Sequence, residues 1–128
     1  MTVKAIKDAV MFQTNNDADD VGDFLPSLMD YINDGYDRLV YAYAGEHLSG
    51  EDGAAYAPLE ADTDKPALPE WTHGALADWA TWCVYRNGNS QKQQRGYAFR
   101  SSFEEICQRI MAEGGSAGRA RNFVNIPW

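Results

Sequence analysis

Two histidines, His47 and His73, and two cysteines, Cys83 and Cys107, are the side chains best suited to nucleophilic or metal chemistry in this sequence. A cysteine beside a histidine makes an activated nucleophile. A metal site needs histidines, cysteines or carboxylates at short, repeated spacings. His47 and His73 have no partner at such a spacing, and the chain holds no HExxH, paired CxxC, glycine-rich phosphate loop or GxSxG. Cys83 and Cys107 stand among apolar residues at helix-like positions. That setting reads as two buried, reduced thiols. No catalytic residue, cofactor or metal is expected, and the protein is not expected to be an enzyme.

The carboxylates form two groups. Asp17, Asp19, Asp20 and Asp23 resemble a calcium loop, but they lack its ligand spacing and its closing Glu. They precede a predicted helix, where acids complement the helix dipole. Asp30, Asp34 and Asp37 lie along one helix at metal-compatible intervals with no histidine beside them. A solvated acidic face is the expectation for these three.

The elements that must position these residues are helical. Residues 2–13 read as a short helix capped by Thr2, with Val3, Ile6, Val10 and, at its edge, Met11 on one side. Residues 24–48 form the clearest helix, with Asp23 as cap and Pro26 in the first turn. At about 100° per residue, Leu25, Leu28, Ile32, Tyr36, Leu39 and Tyr43 share a face, and Asp30, Asp34 and Asp37 oppose it. Gly35 lies near the apolar face and allows close helix approach, while Gly45 is a place for the helix to fray. Residues 49–69 form a long acidic connection, read equally as a functional loop or a surface excursion.

Residues 70–86 return to helix after Pro69. Leu76, Trp79, Ala80 and Cys83 make one apolar face, while Trp71, Trp82 and Tyr85 point to the other side. A helix apolar nearly all round is either central in its own domain or shared with another chain. Gly88 is placed to close it in a left-handed conformation. Ser90 then caps a last helix running to about Glu113, with Phe99, Phe103, Ile106, Cys107 and Ile110 inward and Gly96 as a bend point. The tail carries Phe123, Val124, Ile126 and Trp128, which would fold back on the domain or reach a neighbour as an added strand or arm. The expected fold is all-α: a small bundle of about four helices over residues 1–113, with a long acidic loop and an extended C-terminal arm over 114–128.

The 128 residues fit one domain, large enough to bury a core without disulfides. The net charge is −8. Residues 1–64 carry fourteen acidic against three basic side chains, and residues 65–128 five against eight. The acidic half is unsuited to holding a phosphate backbone. The basic half has no dense cluster until Arg119 and Arg121. No apolar run approaches a membrane span or a signal core, so a cytosolic protein with no membrane partner is expected.

Two stretches carry a family resemblance. One is Asp23–Val40, DFLPSLMDYINDGYDRLV. The other is Trp79–Ile110, with Trp79-Ala80, Tyr85-Arg86-Asn87-Gly88, Gln91-Lys92-Gln93-Gln94-Arg95-Gly96 and Phe103. With the helical order, they resemble the head-to-tail connector (adaptor) proteins of tailed bacteriophages and prophages, over most of residues 1–113. The resemblance implies a non-enzymatic helical subunit found at the head-tail junction of the virion and in the host cytoplasm during assembly. It implies a homo-oligomeric ring, taken as dodecameric, under the portal protein. That ring would extend the DNA channel, let DNA pass without tight binding, and dock a stopper or tail-completion protein. The isolated subunit would be free to remain a monomer. No sharp motif marks the portal-docking residues.

In that role Trp71, Trp82, Tyr85, Phe123, Val124, Ile126 and Trp128 are candidates for the subunit interface. Asp30, Asp34 and Asp37 are candidates for an acidic, phosphate-repelling channel wall, with a plain outer surface as the alternative. Two other assignments compete. A DNA-packaging factor such as a small terminase subunit needs a basic recognition helix, and the first helix pair here is acidic. A different neck or tail-completion protein would be richer in strands.

Overall fold

The computed structural model describes residues 1–15, 24–44 and 57–114. Among the described residues four α-helices follow one another: α1 (Val3–Thr14), α2 (Leu25–Ala44), α3 (His73–Tyr85) and α4 (Ser90–Gly114). A short 3-10 turn, Glu70–Thr72, leads into α3. No strand occurs among the described residues. The all-α expectation holds. Asp17, Asp19, Asp20, Asp23, Gly45, His47, residues 49–56 of the connection and the whole arm from residue 115 lie outside the described residues.

α3 is the centre of the bundle, packed against α1, α2 and α4. Asp78 is its one acidic residue, and it carries no Lys or Arg. Ten of its other twelve side chains are buried apolar, Thr or aromatic groups, so each flank needs a covering helix. The alternative of a helix shared with another chain is thereby corrected. Trp82 and Tyr85 are covered inside the domain, at 8% and 2% exposure.

Two glycines set how closely the neighbours approach. A Cβ on Gly35 of α2 would stand 3.0 Å from Cδ1 of Trp79. A Cβ on Gly96 of α4 would stand 2.7 Å from Cε3 of Trp82 and 2.8 Å from Cβ of Tyr85. Gly35 therefore acts as expected. Gly96 is a packing seat for two α3 side chains, and the helix continues through it without a break.

The helix ends show how local sequence works here. The Thr2 hydroxyl accepts from the Ala5 N–H at 3.2 Å, capping α1. Two further α1 amides are bonded across the fold: Val3 N–H donates to the Asp64 carbonyl (2.8 Å) and Lys4 N–H to that of Asp62 (3.0 Å). At α4 the cap is Asn89, whose Oδ1 accepts from the Lys92 N–H at 3.0 Å, so the Ser90 assignment shifts by one residue. Gly88 is not left-handed. A Cβ there would meet Cβ of Lys92 at 2.7 Å, so close approach is what requires glycine. Leu25 is 59% exposed, because Phe24, just before the helix, occupies the buried position at its start.

Residues 57–69 answer part of the question left open for the long connection. They form a strap fixed to the bundle. Leu59 and Leu68 are in the core. Asn33 donates to the Leu59 carbonyl (2.9 Å) and accepts from the Leu59 N–H (2.8 Å). The Ala67 N–H donates to the Tyr36 hydroxyl at 2.7 Å.

A half-buried polar cluster joins α1 to α3. The Gln13 amide donates to Asp78 Oδ1 at 3.2 Å, and the Thr81 hydroxyl donates to Gln13 Oε1. Burial pushes the Asp78 carboxyl up, opposed in smaller part by the Gln13 amide. A carboxyl raised in the folded state contributes stability below its unfolded pKa of about 3.9, and that contribution is lost as pH rises through the folded value. Asp78→Asn keeps the acceptor for Gln13 and removes the titration. Its urea midpoint is expected to exceed that of the parent at pH 7, with the gap closing towards pH 4. A gap that is constant across that range would refute the assignment.

Candidate functional site

The described surface opens into a groove between α2 and α4, with a volume of about 430 Å³. α3 supplies the floor through Trp79. α2 lends Arg38, Tyr41 and Ala42, at helical spacings of three and four. α4 lends Arg100, Phe103, Glu104, Cys107 and Met111, a stripe that continues every three or four residues along one side.

Trp79 is held from several directions. Its indole N–H donates to Asp34 Oδ2 at 2.8 Å. Arg38 Nε donates to the same oxygen at 3.1 Å, and its guanidinium lies 4.4 Å from the Trp79 ring centre. Phe103 closes the other side, with ring centres 4.8 Å apart and planes tilted by 46°. The cation over the ring and the shared carboxylate fix one rotamer for each partner. At the far rim Arg100 Nε donates to Glu104 Oε1 at 2.9 Å. The Arg100 guanidinium is 5.5 Å from the Trp82 ring, which stacks on Tyr97. Rim charges are thus paired within each helix, and the floor is aromatic. Tyr41 and Met111 stand at the mouth, 47% and 56% exposed.

Neither thiol is activated. Cys107 lines the groove half-buried, and burial, with Glu104 second, pushes its thiol up to about 11. Cys83 is fully buried and pushed up to about 11 in the same way. Both thiols are therefore protonated near neutral pH, where a nucleophile needs the thiolate. Both are free, as expected. His73 is buried beneath the strap. Its Nε2–H donates to the Leu68 carbonyl (2.8 Å), which leaves Nδ1 to accept from the Met1 amine (2.8 Å). Burial pushes its pKa down. Among the described residues no three His, Cys, Asp or Glu side chains are grouped to hold a metal ion. No described helix is long and apolar enough to cross a membrane.

The candidates read from the sequence are scattered. Trp82 and Tyr85 are interior, correcting their assignment to a subunit interface. Trp71 remains 42% exposed, with the Arg109 guanidinium 4.5 Å from its ring centre, and does not line the groove. Phe123, Val124, Ile126 and Trp128 lie outside the described residues. Asp30 is exposed and Asp37 half-buried. Asp34 is tied to Trp79 and Arg38, so the three acids are not a uniform solvent-facing stripe. Sequence reasoning missed Arg38, Tyr41, Arg100 and Met111. The signal for Met111 was present, since it extends the series Phe103, Cys107 by one more step of four.

Comparison with protein-family models, with curated proteins and with solved structures finds no match for this chain.

Proposed function

We propose that the protein is a structural subunit of the head-to-tail junction of a tailed phage or prophage. It would assemble in a ring beneath the portal and offer a surface to a stopper or tail-completion protein. The sequence resemblance supplies the phage context. The observation that carries an assembly role is the groove between α2 and α4. It is lined by side chains of three helices, floored by Trp79 and Phe103, and rimmed by paired ions. Such a site takes apolar side chains from another polypeptide and aligns them by the charged rim.

Sedimentation with portal-bearing procapsids tests the proposal. The parent chain is expected to co-sediment with them. The exposed mouth positions supply the control: Tyr41→Glu with Met111→Glu is expected to weaken that binding at least about tenfold, or about 1.4 kcal/mol. Its helical circular dichroism should be unchanged. Failure of the parent chain to co-sediment would remove the phage assignment, and full binding by the double variant would remove the groove from it.

A further inference from the structure

The groove runs along α4 from Arg100 to Met111. Eleven helical steps cover about 16 Å. Met111 is one turn from Gly114, the last residue of α4. The chain then continues with GSAGRARN at 115–122 and FVNIPW at 123–128. The first eight residues are small, polar or basic. For a linker of that kind the root-mean-square span is about 16 Å over eight residues. The second stretch alternates Val124, Ile126 and Trp128 with Asn125 and Pro127. In an extended chain alternate side chains share one side, and a residue before proline favours extended backbone. Three large apolar side chains on one side of a short extended segment suit a long, narrow groove with an aromatic floor. The volume of about 430 Å³ is in the range of sites that enclose a few such groups.

We propose that the groove of the isolated subunit is occupied by residues Phe123–Trp128 of the same chain. Matching linker span to groove length gives an effective concentration of about 1 mM. A segment that would bind from solution with a Kd of about 0.1 mM is then bound about ten times more often than not. The segment competes with any partner polypeptide for the same side chains. Docking of a partner requires its displacement, which couples exposure of the arm to occupation of the groove. The inference rests on the groove being a polypeptide site, but not on which partner uses it.

Cys107 reports occupancy, since it lines the groove, while Cys83 is fully buried and silent. Maleimide labelling of Cys107 is compared in the parent chain and in a full-length variant carrying Val124→Ser, Ile126→Ser and Trp128→Ser. The variant is expected to label about tenfold faster, with the same urea midpoint for the bundle. A synthetic peptide of residues 115–128 at millimolar concentration should return it to the parent rate. Equal rates in the two proteins would overturn the proposal. So would protection that grows with protein concentration, which would place a neighbour's segment in the groove. No procapsid is involved. Protection without co-sedimentation would therefore retire the phage reading alone, and co-sedimentation without protection would retire the segment alone.

Discussion

Replacing Trp79 with Ala is expected to destabilise the fold by about 3–5 kcal/mol, the range for removing a buried large aromatic group. Trp79 is 6% exposed and touches every element that shapes the groove. It meets α2 through Gly35, Asp34 and Arg38, and α4 through Phe103. Its loss leaves a cavity between helices whose separation is already set by Gly35 and Gly96, so collapse around the gap is restricted. Trp79→Phe separates the contributions. It retains much of the ring packing and deletes the indole N–H. Asp34 keeps Arg38 and is 45% exposed, so water replaces the lost donor, and a cost of about 1 kcal/mol is expected for that bond. Urea unfolding of both variants checks the pair. A loss below about 1.5 kcal/mol for Trp79→Ala would mean that the bundle does not depend on this ring.

How much of this was legible in the sequence depends on which force places each residue. α1 and its Thr2 cap were legible, because a cap is a local hydrogen bond between residues three apart. The inward positions of α2 from Leu28 to Leu39 were legible, because periodicity alone sorts them. The enclosure of α3 was half legible. Composition showed a helix apolar all round, but whether its second face met this chain or another depended on α4 packing over Trp82 and Tyr85. The three-helix groove was not legible, since it is made by residues of α2, α3 and α4 that only tertiary packing brings together, and no local pattern encodes that. Asp34 shows the same limit. On a helical wheel it opposes the core, yet its carboxylate accepts from an indole on another helix. The strap over 57–69 was obscured by acids. Leu59 and Leu68 were its only large apolar residues, and an isolated leucine in a polar stretch carries little signal before its burial is seen.

Gly96→Ala is expected to destabilise the protein by up to about 2 kcal/mol, although alanine is the better helix former by about 1 kcal/mol. The sign is decided by what the new methyl group would meet. It would stand 2.7 Å from the Trp82 ring and 2.8 Å from Cβ of Tyr85, and both side chains are buried. Neither is the loose end of an exposed chain, so helix axes must separate or rings must leave their rotamers. Overpacking of that kind costs about 1–3 kcal/mol and exceeds the propensity gain. Gly74→Ala is the matched control. Gly74 lies in the first turn of α3, exposed, and a methyl group there would find no packing neighbour within 4 Å. At that position the same change is expected to stabilise by about 0.4–1 kcal/mol through the unfolded chain. Opposite signs in urea midpoints for the two substitutions would identify Gly96 as a contact point between α3 and α4. A stabilising Gly96→Ala would instead mean that the two helices have slack between them, which would remove close approach as the reason for glycine at that position.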